Sequence, residues 1–342
     1  MGVGGEFDFG PSARFLDVIL AGDVGGTHSR LALFDDGERA PAELEIYPSA
    51  EHGGLVEIIE TFCSAHPADP VAATIGVAGP VEDGRTEAVN LVWPVDAREL
   101  ADAIGPGCRV SVINDMEANA WGIGWLGADD VVALNDASAE EGGNVALVSA
   151  GTGLGEGFVT HGARGEQAHA SEGGHADFAP RTGLESELLE WLARDGGHVS
   201  YERVCSGIGL VNVYAFLRAR SDDREPDWLE KARAEHGGTA ITRAGLDRRD
   251  PIASDALDVM VSIYGAQAGN FALTVMATGG VYLGGGIAPK ILPRLKEGGF
   301  MRAFTTKGRL TEVLGRIPVM VILNELTALL GAARHAEITR AG

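Results

Sequence analysis

One device occurs twice in this chain. GDVGGTHSRLALF, Gly22 to Phe34, places an aspartate and two adjacent glycines between runs that read as β-strands, and SAGTGLGEGF, Ser149 to Phe158, places a second glycine turn between two apolar strands. Each opens a fresh series of strands and helices, so the 342 residues divide into two units. That agrees with the usual domain size of about 100 to 200 residues.

In the first unit FLDVILAGD, SRLALFDDG and AELEIYP form a three-strand antiparallel meander. GGLVEIIETFCSAHP reads as a helix stopped by Pro67, VAATIGVAGP as an apolar strand, CRVSVIND as a strand ending on polar residues, and MEANAWGIGWLG as the helix after it. Strand, helix, strand, helix implies parallel addition to the meander. The second unit begins near Ala128 with VVALN, NVALVSAGTGLGEGFVTHG and the loop EQAHASEGGHADFAP. Helical stretches then dominate, chiefly ESELLEWLARDG, SGIGLVNVYAFLRAR and SDALDVMVSIYGAQAGNFALTVMA, before the strand and loop GGVYLGGGIAPK. IPVMVILNELTALLGAARHA reads as a strand and a helix that return to the first unit. The expected boundaries are a mobile N-terminal extension at 1–13, a small α/β domain at 14–125 plus 317–340, and a large α/β domain at 126–316.

A formal net charge of -22 repels nucleic acid backbones and anionic headgroups, so neither is an expected partner. Cys63, Cys108 and Cys205 are too few and too scattered for a disulfide framework or a cysteine-ligated zinc site, and fit a reducing cytoplasm. The start lacks the pattern of a secretory signal, and no apolar run is long enough to span a bilayer.

The first glycine turn supports two readings equally. Gly25 and Gly26 let backbone N–H groups approach an anion, with Asp23 ordering a magnesium ion against it and Thr27 adding a hydroxyl. They also suit a plain hairpin. No G-x-x-x-x-G-K-[ST] is present, and the G-x-G-x-x-G of Gly122, Gly124 and Gly127 lies late in a helix, where it reads as packing and a helix stop. Gly151 to Gly153 form a second anion cradle, and the cluster Ala277 to Pro289 offers a side-chain-poor surface for a planar base or an ordinary helix-to-strand connection. Asp115, where a strand becomes a helix, is a candidate general base, and Asn114 a hydroxyl-recognising amide; either also suits helix capping. Glu172, His175 and Glu202 sit by glycine-rich turns and suit a polyol, which needs donors and acceptors in fixed directions. A metal held by His169, Glu172 and His175 ranks lower, because their spacing matches no metalloenzyme pattern.

Taken in order, GDVGGT, IND (Ile113 to Asp115), GTGLG (Gly151 to Gly155), EGGHADFAP (Glu172 to Pro180), ERVCSGIGL (Glu202 to Leu210) and GGVYLGGGIAP (Gly279 to Pro289) resemble the bacterial glucokinases of the hexokinase-like, actin-related ATPase superfamily. His28, where asparagine is usual, and Ser171, where glycine is usual, depart from the pattern. The resemblance implies an α/β protein of two ribonuclease-H-like, actin-like ATPase domains flanking a cleft, usually a homodimer. It implies phosphorylation of D-glucose at O6 by Mg-ATP as the first step of glycolysis. By the same resemblance Gly22, Asp23, Val24, Gly25, Gly26 and Thr27, with Gly151, Thr152 and Gly153, hold the ATP phosphates, Asp23 orders Mg²⁺ through water, and Gly284, Gly285 and Gly286 border the adenosine. Asn114, Asp115, Glu172, His175 and Glu202 would bind glucose, with Asp115 as the base. The alternatives are a kinase of another hexose or with another phosphoryl donor, and a non-catalytic sugar-binding regulator. Regulators of this fold carry an N-terminal DNA-binding domain, for which Asp23 comes too early.

Overall fold

Strand β1 (Val18–Val24) shows how the first unit is assembled. Its alternate side chains serve two different layers, as the two-residue period of a strand requires. Leu20 and its neighbours Leu31, Leu33, Ala73 and Ile75 face Leu55, Ile58, Ile59 and Phe62 of α1 (Leu55–Ala65). Ile19 and Ala21, with Ala32, Phe34 and Ala72, face Leu329, Leu330, Ala332 and Ala333 of the last helix, α13 (Thr327–Arg340). The sheet is thus covered on both sides, and each fully buried Leu, Ile or Phe contributes about 1.5–3 kcal/mol.

The structure, a computed structural model, describes residues 17–87, 91, 93–163, 165–194 and 197–340; the extension expected at 1–13 lies outside the described residues. The expected meander is β1, β2 (His28–Asp35) and β3 (Glu43–Pro48), and β4 (Ala72–Val77) and β7 (Arg109–Asn114) add in parallel to give the order β3-β2-β1-β4-β7. A small ladder of β5 (Arg85–Thr86) and β6 (Val95–Asp96) precedes α2 (Ala97–Ile104), and α3 (Asp115–Ile123) follows β7 without a break.

The second sheet repeats this order. Its strands are β9 (Val145–Ala150), β10 (Leu154–Gly162), β11 (Gly165–Ser171), β12 (Gly280–Gly284) and β13 (Val319–Ile322), in the order β11-β10-β9-β12-β13, with the short β8 (Val131–Ala133) outside β13. Two sequence expectations change here. Residues 166–171, read as loop, form with Gly165 an edge strand whose ladder runs from Glu156↔Ser171 to Gly162↔Gly165; its small and polar residues hide the period because one edge of it faces no partner strand. The strand at 319–322, assigned to the first unit, belongs to the second, and only α13 crosses back.

Helices α4 (Gly183–Ala193), α5 (Gly207–Ala219), α6 (Asp227–His236), α7 (Gly238–Leu246) and α8 (Pro251–Val275) build the large core, with short α9 (Ile287–Lys290), α10 (Leu292–Lys296), α11 (Gly299–Thr305) and α12 (Thr311–Gly315) after β12. Asp250 caps α8 by accepting from Ala253 N at 2.7 Å, and Pro251 occupies its first turn. Between the two sheets α3 and α13 cross closely. A Cβ on Gly122 would stand 2.0 Å from Thr327 O, and one on Gly331 1.7 Å from Ala118 O, so WGIGWLG serves helix packing. Among the described residues the cysteines are free, and no helix is long and apolar enough to cross a membrane.

Candidate active site

The parallel strands of the first sheet end side by side at the gap between the sheets. Asp23 of β1 pairs with Gly76 of β4, and Gly76 with Ile113 of β7, so Asp115 lies two residues beyond the level of Asp23. Two strand spacings separate their backbones, roughly 10 Å. Asp115 opens α3 and its Oδ1 accepts from Met116 N at 2.9 Å. Burial pushes its carboxyl up to about 6; the charge of Asp23 and, less strongly, that of Glu172 push the same way, against the backbone hydrogen bond from Met116. No cation is paired with it among the described residues. Asp23 is also raised by burial, but Arg30, its cross-strand neighbour, opposes this through an ion pair of 2.8 Å.

One glycine turn follows β1 and another follows β9. In the first, Gly25 N donates to His28 O at 2.9 Å, leaving the N–H groups of Gly26 and Thr27 without acceptors among the described residues. In the second, Gly151 N donates to Gly153 O at 2.9 Å and the N–H groups of Thr152 and Gly153 are left free in the same sense. The two turns thus keep four backbone donors unspent, the kind of group that suits an oligophosphate. The expected cradle narrows accordingly: Gly22 and Val24 are buried inside β1, and Gly25 and Gly151 spend their N–H groups closing the turns.

Glycine at 153 has a further reason. A Cβ there would sit 2.3 Å from Glu202 Oε2, which accepts from Leu154 N at 2.9 Å, so the residue lets Glu202 lie against the turn. Of the third cluster, Gly284 ends β12 in the interior, and Gly285 has φ +77 and packs on the Ala150 carbonyl, where a Cβ would come within 2.3 Å. Gly286 is exposed to the cleft.

A cavity of about 440 Å³ is lined by Asn114, Asp115, Ser149, Gly151, Glu172, His175 and Glu202. The imidazole of His175 stands between two carboxylates, 3.9 Å from Glu172 and 4.0 Å from Glu202. A second cavity, about 550 Å³, is bordered by Gly151, Thr152, Ile208, Thr239, Thr242, Gly286 and Lys290. A third, about 370 Å³, is bordered by Asp23, Arg30, Asn119, Ser149, Gly286 and Lys290. The shared residues Gly151, Ser149, Gly286 and Lys290 join the three into one cleft.

Asn114 caps α3: its Oδ1 accepts from Met116 N and Glu117 N, and its Nδ2 donates to Gly79 O at 2.9 Å. One Nδ2 hydrogen remains for the cavity. His169 lies apart from the cluster, bonded to Thr160 and stacked on Phe158, and no group of three or more His, Cys, Asp or Glu among the described residues is placed to hold a metal. A single carboxylate at Asp23 fits an ion that takes its other oxygens from phosphates and water, the habit of Mg²⁺. Sequence reasoning left out Arg30, Ser149, Lys290, Thr239 and Thr242. The hairpin register gives the first of these by counting across the turn; the threonines carry no local signal.

Comparison with known proteins places this geometry. The glucokinase family model matches residues 20–339. A glucokinase of Nostoc punctiforme is 38% identical over 336 residues, covering 93% of this chain and 98% of that one. The crystal structure of a glucokinase from an Antarctic psychrotroph superposes with a TM-score of 0.82 at 30% identity, covering 94% of this chain and 99% of the other. A ROK family glucokinase from Streptomyces griseus, solved with glucose and AMPPNP, shares the fold at 23% identity and a TM-score of 0.63, covering 96% of this chain and all of that one. The architecture is the two-unit actin-like ATPase fold that the motifs imply, and this chain belongs to the glucokinase family.

Proposed function

We propose that the chain transfers the γ-phosphoryl group of ATP to the 6-hydroxyl of D-glucose, with Asp115 as the general base. The observation that carries this is the position of Asp115: a half-buried carboxylate with no cation paired to it among the described residues, in one cavity with Glu172, His175, Glu202 and Gly151 of the second glycine turn. The ROK family glucokinase from Streptomyces griseus, of the same fold, was solved with glucose and AMPPNP, which supports the same pair of ligands here.

Glu172, His175, Glu202 and the free Asn114 hydrogen fix the sugar by directional hydrogen bonds, which orient its primary alcohol towards Asp115. The carboxylate takes the hydroxyl proton as the oxygen forms its bond to the γ-phosphorus and the bond to the β-phosphate oxygen breaks in line. The N–H groups of Gly26, Thr27, Thr152 and Gly153 receive the charge spread over the phosphate oxygens. Asp23 would hold Mg²⁺ through water, and the ion supplies neutralisation of the phosphate charge when bound. The adenine ring of ATP would lie in the cavity of about 550 Å³, which Ile208 and Gly286 border. We further assign a homodimer acting in the cytoplasm; the family resemblance supports the first, the three free cysteines the second, and light scattering of the purified chain tests the dimer.

The test is turnover with Mg-ATP and a panel of hexoses, following ADP and hexose 6-phosphate. Equal amounts of ADP and glucose 6-phosphate are expected, with ATP hydrolysis slow when sugar is absent because sugar completes the site. A sugar-free rate equal to the kinase rate, or preference for another hexose, contradicts the assignment.

A further inference from the structure

We propose that Glu156, on β10 beneath the Glu172–His175 turn, is a positioning residue of the sugar site: as a neutral acid it seats that turn, and when ionised it unseats it, so sugar affinity falls as Glu156 loses its proton. The proposal rests on the sugar-site reading above.

Glu156 is 1% exposed and pairs with Ser171 across the β10–β11 ladder. Its Oε2 lies 2.0 Å from the point a Cβ on Gly173 would occupy, so only glycine lets the turn rest on the carboxyl. The other oxygen accepts from Gln267 Nε2 at 2.7 Å, whereas Oε2 is buried without a hydrogen-bond partner. Gln267 belongs to a polar stripe on α8 that reaches both sugar-binding segments. Its Oε1 accepts from Asn270 Nδ2 at 3.2 Å, and the same Nδ2 donates to the hydroxyl oxygen of Tyr201 at 2.9 Å, one residue before Glu202. Lys307 Nζ in turn donates to Asn270 Oδ1. Thus α8 holds Glu172 through Glu156 and Gly173, and Glu202 through Tyr201.

A carboxylate at this place has no cation against it among the described residues, and Lys307 is separated from it by two amides. Cys205 and Tyr264 feel its charge, and both stay neutral because burial drives thiol and phenol upward. Burial likewise holds the Glu156 carboxyl up to about 7, against the hydrogen bond from Gln267. Below that value the acid is neutral and tolerated. Above it, an unpaired buried charge is costly and gains water only if Gly173 and Gly174 move away. Gly174 is packed so tightly that a Cβ would stand 1.9 Å from Leu154 O, so the turn has one seated arrangement to lose.

The experiment is calorimetric titration of glucose into the full chain without nucleotide, from pH 6 to 8.5, for the wild type and Glu156→Gln. Every other group of the site is the same in both proteins, so the comparison isolates Glu156. The ratio of wild-type to variant Kd is expected to be near one at pH 6 and about tenfold by pH 8. A ratio fixed at one throughout, or a variant already weak at pH 6, overturns the role. Absence of glucose binding by either protein at every pH overturns the sugar-site reading, and the proposal with it. Thermal melts across the same range exclude unfolding of the variant, and the wild-type curve alone must steepen above pH 7.

Discussion

The two sheets share one strand order and present one kind of glycine turn, yet they furnish the cleft differently. The first supplies charge: Asp23 at the mouth of its turn and Asp115 two strands away. At the place of Asp23 in its own turn the second sheet has Ser149, and it adds free N–H groups, the bare surface of Gly286 and the sugar-binding segments. A repeated backbone has thus been divided between chemistry and binding. Changes on the first side should fall on kcat, and changes on the second on KM.

The largest effect belongs to Asp115→Asn. An amide keeps the bond from Met116 N but accepts no proton, so kcat should fall about 10³-fold while calorimetry still detects glucose binding. Next comes Asp23→Ser, which gives the first turn the residue of the second. Loss of the carboxylate that would order Mg²⁺ should cost about 10- to 100-fold in kcat or in metal requirement, measured by magnesium titration. Gly153→Ala tests the other side. Its methyl group displaces Glu202 from Leu154 N, raising KM for glucose about tenfold with kcat nearly unchanged in steady-state kinetics. The last effect is on stability and leaves turnover aside. A carboxyl raised to about 6 in the fold binds more protons there than in the unfolded chain between roughly pH 4 and 6, so the wild type loses stability as pH rises through that window. Asp115→Asn should therefore be the more stable protein at pH 7, by about 3 kcal/mol at most in chemical denaturation, with the gain absent at pH 4.

Much of this division was legible in the sequence. The meander, the parallel strands and the polar end of CRVSVIND follow from period and turn chemistry, which are local. So is the aspartate at a strand-to-helix junction. What stayed hidden is decided by partners distant in sequence. VMVI is equally apolar in either sheet, and only its neighbours β12 and β8 place it in the second. Gly153 reads as a phosphate glycine alone in the sequence, and its second reason, room for Glu202, shows only in the fold. Asn114 suits a sugar ligand or a helix cap in the sequence, and only the fold shows it capping α3 with its oxygen while one Nδ2 hydrogen stays available.

Asp115, half-buried and with no cation paired to it among the described residues, must be ionised to work. The pH dependence of kcat/KM for glucose measures its protonation in the free enzyme. The acid limb should be half-maximal near pH 6, and the residual rate of Asp115→Asn should lack that limb. A wild-type limb near pH 4, where an ordinary aspartate titrates, or the same limb in the variant, would contradict it.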